Sequence, residues 1–342
     1  MKKSQRLAAV LLILLMLCGC SMPAAPNTVV LPQTPAENHT ESAPASAEPA
    51  QTTPETNAFH LEYEQTALPE PLSSVTALAM LEETLLLGGV SETGLALVRL
   101  TPEGRSEELP LPGSTEYLYA LCPDGAGGAW LLCGSLPKGY FDAFGNFRFL
   151  SQEPEGKLAL AHYDAAFALQ EIVLLQTLYT DRFFQLRRLD GGFCMMSASL
   201  LVRLDETGAE TARQSLDAKD GWSFAAMQET DGVLYALTRN FYRIELPELR
   251  KFTPDTLSAL ESDVCTSEIT GLGLRADGRL LMGNSEELFA YDTGSGETET
   301  LVRWQEIGAN VLTEQPWELE DGYLLFSPGD TSLQRLRRVP GQ

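Results

Sequence analysis

The chain is poor in the residues that most often carry chemistry. Three histidines, His39, His60 and His162, stand in 342 residues and far apart, which excludes a multi-histidine metal centre. The six cysteines include no Cys-x-x-Cys pair, so zinc and dithiol redox sites of that spacing are excluded as well. There is no Gly-x-Ser-x-Gly elbow, no phosphate-binding loop and no calcium-loop pattern. Positive charge is scarce: 24 Lys and Arg face 47 Asp and Glu, a formal net charge of −23. Nucleic acid and anionic lipid headgroups are thereby disfavoured as partners, because both demand basic patches. Long apolar runs are missing too. The run over residues 7–17 is eleven residues long, whereas a membrane-spanning helix needs roughly 20. No permanent span is predicted.

What is present begins with that short run. Lys2, Lys3 and Arg6 precede it and no acid appears before Cys20, the pattern of an export signal. The segment Leu17-Cys18-Gly19-Cys20 resembles the lipobox of bacterial lipoprotein precursors. The resemblance implies that residues 1–20 are a signal peptide and that Cys20 carries diacylglycerol and palmitate-type acyl chains. It also implies an extracytoplasmic protein on the cell membrane, or on the outer membrane of a cell that has one. Two acyl chains hold a protein stably where one holds it marginally. Without Lys2, Lys3 and Arg6, 21 basic residues oppose 47 acids, a charge of −26 on the mature chain.

Residues 21–58 read as a tether. Pro23, Pro26, Pro32, Pro35, Pro44, Pro49 and Pro54 stand among Ala, Thr, Ser and Glu, with no Lys or Arg. Such a stretch buries too little apolar surface to offset its ordering entropy, and its prolines favour extended spacing.

Residues 59–342 form the folded part, large enough for a sizeable core. Short apolar alternations interrupted by Gly and Pro predict an all-β fold. Asp-Gly, which tolerates the positive φ of a tight hairpin, recurs at Asp124-Gly125, Asp190-Gly191, Asp231-Gly232, Asp277-Gly278 and Asp321-Gly322, with Glu82-Glu83 as a variant. Counted from Glu83, the intervals are 41, 66, 41, 46 and 44 residues. Second reversals follow at Pro102-Glu103-Gly104, at Asp205 to Gly208 and at Asp292-Thr293-Gly294. Four strands in each forty-odd residues is the rhythm of a β-propeller. About six four-stranded blades are predicted, the last closed by the N-terminal strand at Phe59, Leu61 and Tyr63. An open sandwich is the competing arrangement.

The interval of 66 residues implies an insertion near residues 135–155. It holds Tyr140, Phe141, Phe144 and Phe147, a candidate partner or ligand surface if exposed, or a hairpin packed on its own blade. Residues 158–178 also suit a helix by propensity, but Leu158, Leu160 and Tyr163 match the repeat and predict strands. Cys122 and Cys133 flank one predicted hairpin and form a possible disulfide in an oxidising compartment; isolated buried thiols are the other reading. Paired carboxylates such as Asp217 with Asp220, or Glu318 with Glu320, invite acid–base readings but read first as solvated charge in so acidic a chain. Trp130, Trp222, Trp304 and Trp317 read as wedges between blades. Gly271-Leu272-Gly273 imitates a dinucleotide fingerprint, but precedes a hairpin rather than a helix.

The segment Leu301-Val302-Arg303-Trp304-Gln305-Glu306-Ile307-Gly308, followed by Trp317-Glu318-Leu319-Glu320-Asp321-Gly322-Tyr323-Leu324-Leu325, resembles the propeller region that precedes solute-binding domains in some clostridial-type lipoproteins. The resemblance implies a role beside solute uptake and transfers no catalytic residue. Two functions stay open: a membrane-anchored binding or scaffolding propeller, monomeric and without cofactor or metal, that takes a solute, glycan or protein; or a glycan-acting hydrolase or lyase on the same scaffold.

Overall fold

The computed structural model describes residues 59–340 apart from 83, 114, 136–138, 142–146, 150–156, 180, 218–219, 244 and 310. Residues 1–58, where the sequence predicts a signal peptide, the lipid-bearing Cys20 and a tether, lie outside the described residues.

Among the described residues, six four-stranded antiparallel sheets follow one another around a ring. After β1 (Phe59–Ala67), blade I is β2 (Leu72–Leu81), β3 (Thr84–Ser91), β4 (Gly94–Leu100) and β5 (Ser106–Leu109). Blade II pairs β6 (Tyr117–Pro123) and β7 (Ala129–Gly134) with β10 (Leu158–Tyr163) and β11 (Leu169–Leu174). Between β7 and β10 comes a separate hairpin, β8 (Gly139–Phe141) and β9 (Phe147–Phe149), which is the insertion behind the long interval. Blade III is β12 (Phe183–Leu189), β13 (Gly192–Ser197), β14 (Leu200–Asp205) and β15 (Glu210–Ser215). Blade IV is β16 (Trp222–Thr230), β17 (Val233–Asn240), β18 (Glu248–Phe252) and β19 (Asp263–Val264). Blade V is β20 (Ile269–Leu274), β21 (Leu280–Asn284), β22 (Glu287–Tyr291) and β23 (Thr298–Arg303). Blade VI joins β24 (Gln315–Leu319), β25 (Gly322–Phe326) and β26 (Ser332–Pro340) to β1.

The closing strand pairs from Phe59 opposite Pro340 to Ala67 opposite Ser332, as the chain ends predict. Closure of this kind leaves no inner sheet edge open to another chain. Residues 158–178, the stretch that also suited a helix, contain strands β10 and β11.

Each Asp-Gly pair lies between the first and second strand of its blade. Asp231 and Gly232 both take positive φ, 52° and 71°, the backbone of a two-residue hairpin whose twist matches its strands. Aspartates at other strand ends work through the side chain. Oδ1 of Asp124, Asp164, Asp205 and Asp292 each accepts two backbone N–H bonds from the turn that follows, so the turn donors are satisfied locally.

The core is six wedges rather than one mass. Along β7, Ala129, Leu131 and Cys133 face blade I, while Trp130 and Leu132 face blade III. Both faces of a blade are therefore buried, and its middle strands read as continuous apolar runs instead of clean alternation. Trp130 and Trp304 fill such wedges, and the Trp304 indole donates to the Asn284 carbonyl at 2.8 Å. This two-faced burial also overturns the proposed disulfide. Cys122 belongs to the wedge between blades II and III and Cys133 to the wedge between I and II; Cys122 sits opposite Trp130 and Cys133 opposite Leu118. The two thiols point to opposite faces of one sheet and are free. Burial pushes the Cys122 thiol up to about 12, so it behaves as a small apolar side chain.

Gly271 and Gly273 have a packing reason. A Cβ at either would meet the carbonyl oxygen of Thr313 or of Pro316, because β20 approaches β24 backbone to backbone across the V–VI boundary. The apparent fingerprint is a close-packed inner strand.

Candidate functional site

Five of the six innermost strands contain an irregularity in register near their first turn. In β2 the pairing skips Thr76, in β6 Tyr119, in β12 Phe184, in β16 Ala225 and in β20 Thr270. A bulge bends its strand and re-aims the extra side chain. Thr76, Tyr119, Phe184 and Ala225 all line one funnel of about 800 Å³, at the face where the inner strands begin. Thr76 and Thr270 repeat one device: each Oγ1 donates within its blade, to Gly88 or Gly283, or across the boundary, to Leu118 or Thr313.

The funnel wall is aromatic, with Tyr117, Tyr119, Phe183, Phe184, Phe224 and Phe241. Phe241 and its neighbour Tyr242 are 68% and 75% exposed. Tyr117 and Tyr119 lie 5.9 Å apart between centroids. The Arg182 guanidinium stands 5.9 Å from the Tyr117 ring, and that of Arg239 stands 5.9 Å from the Phe241 ring. Neither arginine makes an ion pair within 4.0 Å among the described residues. The Tyr119 hydroxyl is buried in the wall with no hydrogen-bond partner, and burial raises its pKa, with Arg182 opposing. An orphaned buried hydroxyl costs roughly 1–3 kcal/mol, and a ligand polar group would relieve it.

Two carboxylates stand at the sixth-blade side. The Glu314 amide donates to Phe326 O at 3.1 Å and to Ser327 Oγ at 3.2 Å. Asp330 is fixed by a bridge to Val75 that joins blade VI to blade I, and its Oδ2 accepts from the Ser327 amide at 2.8 Å. Burial raises the Glu314 carboxyl above the ordinary range, with Arg239 pulling it down and Asp330 pushing it further up. Burial likewise raises Asp330 against the Ser327 amide.

The opposite mouth of the channel is built differently. A cavity of about 520 Å³ is lined by Arg187, Gln228, Arg275, Trp317, Glu318 and Arg338 among others. Between the two mouths, Thr76, Phe184, Gln185, Arg187, Gln315 and Phe326 close around a space that leaves no room for water.

The other residues singled out from sequence fall elsewhere. Tyr140 and Phe141 lie on β8 and Phe147 on β9, outside the six blades; Phe144 lies outside the described residues. Glu318 is engaged by Arg275 at 3.6 Å, Arg338 at 3.3 Å and the Ala276 amide at 2.7 Å, so it is no free partner for the exposed Glu320. His162 holds Asp124 at 2.9 Å and stacks on Trp130 at 4.4 Å. Burial alone would raise the Asp124 carboxyl, but the bonds from His162, Ala126 and Gly128 outweigh it and lower the pKa, a clamp on the first hairpin of blade II. The funnel residues escaped sequence reasoning because their apolar runs look like uninterrupted strands. The one usable signal was glycine on the neighbouring strand: the skipped Thr76 falls between residues paired with Gly89 and Gly88, and the skipped Thr270 precedes the Gly271–Gly283 pair.

Neither a protein-family model nor a curated protein sequence matches the chain. Among solved structures, the chain is similar to a glucose dehydrogenase, at TM-score 0.50 and 12% identity over 82% of this chain and 100% of that one. A virginiamycin B lyase from Staphylococcus aureus superposes at 0.48 and 8%, over 82% and 100% of the two chains. The WD40 propeller domain of Doa1 does so at 0.44 and 9%, over 82% and 96%. At these identities the likeness is one of fold, and the fold is a β-propeller.

Proposed function

We propose that this chain is an extracytoplasmic binding propeller, held to its membrane through Cys20 and spaced from it by residues 21–58, that takes its ligand in the bulge-lined funnel. The observation that supports this reading is the funnel's lining: six aromatic rings beside Arg182 and Arg239, neither of which makes an ion pair within 4.0 Å among the described residues. Rings that stack and guanidiniums that donate are the chemistry of a hydroxyl-rich solute or glycan. Binding of this kind needs no nucleophile or metal. A supporting role beside solute uptake follows from the same chemistry and from the lipoprotein resemblance. The aromatics of β8 and β9 provide a second contact surface for a partner in this reading.

A specific observation favours an enzyme as the second reading. Glu314 lines the funnel, Asp330 stands close enough to push its carboxyl up, and burial raises both; a carboxyl whose surroundings favour its protonated form suits the acid of a glycan-cleaving pair. One variant separates the two. Glu314→Gln is expected to keep oligosaccharide binding, measured by calorimetry against a glycan panel, and to show no turnover in either protein. Turnover by the native chain that disappears in Glu314→Gln with binding intact would replace the binding reading with the enzymatic one. Anchoring is tested apart from this: Cys20→Ser is expected to release the protein from the membrane fraction and to abolish incorporation of labelled palmitate.

A further inference from the structure

The channel mouth opposite the funnel is rich in donors and short of acceptors. Arg187 reaches into it from β12. Its Nε donates to Gln228 Oε1 at 3.2 Å, its Nη1 donates to the Leu186 carbonyl at 3.2 Å, and its guanidinium lies 5.6 Å from the Trp317 ring. No carboxylate among the described residues pairs with it. Glu318, an acid of the same lining, is already shared between Arg275 and Arg338. Around Arg187 further donors are orphaned: Trp317 Nε1, Gln185 Nε2, and Nε and Nη1 of Arg275 are buried without a hydrogen bond. The Arg275 atoms approach Glu318 and Glu299 only at 3.6 and 3.5 Å.

Buried polar groups are almost always satisfied, and each exception asks for a partner. Of the seven such side-chain atoms among the described residues, four, all of them donors, gather around this cavity and the constriction behind it, in a protein of strong negative charge. An uncompensated guanidinium at such a place is costly by itself, and burial pulls its pKa down. An oxygen anion supplies what is missing, because its oxygens, each with more than one lone pair, can accept from the Arg187 Nη groups and from the indole together.

We infer that this mouth is a binding site for a small oxyanion, a carboxylate, sulfate or phosphate group, held by Arg187 with Trp317 Nε1 as second donor. The site is separate from the funnel, since the closed constriction lies between them, and it stands whether or not the funnel takes a glycan.

Calorimetric titration of the full chain in chloride-free buffer with sodium sulfate, inorganic phosphate, acetate and malonate tests it, the four probes separating carboxylate from tetrahedral anion. At least one is expected to bind saturably at one site per chain and to raise the melting temperature. Arg187→Met is expected to weaken that binding at least tenfold and to melt higher than the native protein when no anion is present, since it removes an unpaired buried charge. Trp317→Phe, which keeps an aromatic ring but removes the indole donor, is expected to weaken it about threefold to tenfold. If Arg187→Met fails to fold, Arg187→Lys, which keeps the charge and removes the fork, is expected to lose affinity several-fold. No saturable binding by the native chain, or an Arg187 variant that binds as tightly as native, would overturn the site.

Discussion

The two mouths of the channel are made from the same six inner strands, yet they have opposite characters. At the funnel the backbone is irregular: bulges at Thr76, Tyr119, Phe184 and Ala225 push short or aromatic side chains into a wide opening. At the other mouth the strands are regular, and long polar side chains from β12, β16 and β24, Arg187, Gln228 and Trp317, cross the axis instead. The difference teaches that a repeated scaffold gains distinct sites by two routes. Backbone irregularity opens space, and side-chain length fills it with specific donors.

Both mouths depend on ring closure, and the largest effect tests that dependence. Deleting residues 59–67 removes the strand that completes blade VI. Loss of more than about 5 kcal/mol and of a single cooperative melt is expected, seen by circular dichroism together with loss of ligand response at both ends. A variant that melts cooperatively near the native temperature would detach the sites from closure. Next in size, Asp124→Asn is expected to cost about 2 kcal/mol while leaving both mouths unaltered, because its clamp with His162 lies on a hairpin of blade II. The Asp124 carboxyl is lowered in the folded state, so its contribution is present above the unfolded pKa of about 3.9 and is lost as pH falls through the folded value. The variant should accordingly show a flatter acid limb in a denaturation series.

A smaller effect sharpens the comparison itself. Thr270→Val removes the hydroxyl that donates to Gly283 or Thr313 and is expected to cost about 1 kcal/mol; Thr76→Val, made in the same way, is expected in addition to weaken funnel binding and leave the anion response intact. Equal weakening at both mouths would show that the bulges serve general stability. The smallest effect is the most diagnostic in sign. Glu314 is raised, so the folded state holds its proton more tightly than the unfolded chain, and stability falls as pH rises from about 4.3 through the folded value. Glu314→Gln is therefore expected to gain stability above that window and none below it, read as the difference in melting temperature between pH 4 and pH 7.

Much of the architecture was legible before any coordinates. Asp-Gly turns, at forty-odd-residue spacing apart from one longer interval, marked the first hairpin of five blades, Glu82-Glu83 that of the first, and the alternation of Phe59, Leu61 and Tyr63 pointed to the closing strand. Turn chemistry is local, so it survives translation from chain to fold. The Cys122–Cys133 pairing failed for the opposite reason. Proximity along a hairpin says nothing of which face each residue takes, and a blade buried on both faces removes the polar alternation that would have revealed it. The funnel was hidden by the same property, because a bulge within an apolar run leaves the run apolar.

The amino-acid order alone determined where strands turn back and that about six blades follow, and it pointed to the closing strand, since turn chemistry and the rhythm of apolar runs are written locally in the chain. Only the tertiary structure decided what the channel holds. Arg187 acquires its neighbours Gln228 and Trp317 from blades IV and VI, and Glu314 acquires Arg239 and Asp330 from blades IV and VI. Such groups come together because a ring brings distant repeats to one axis, a convergence that no local spacing encodes.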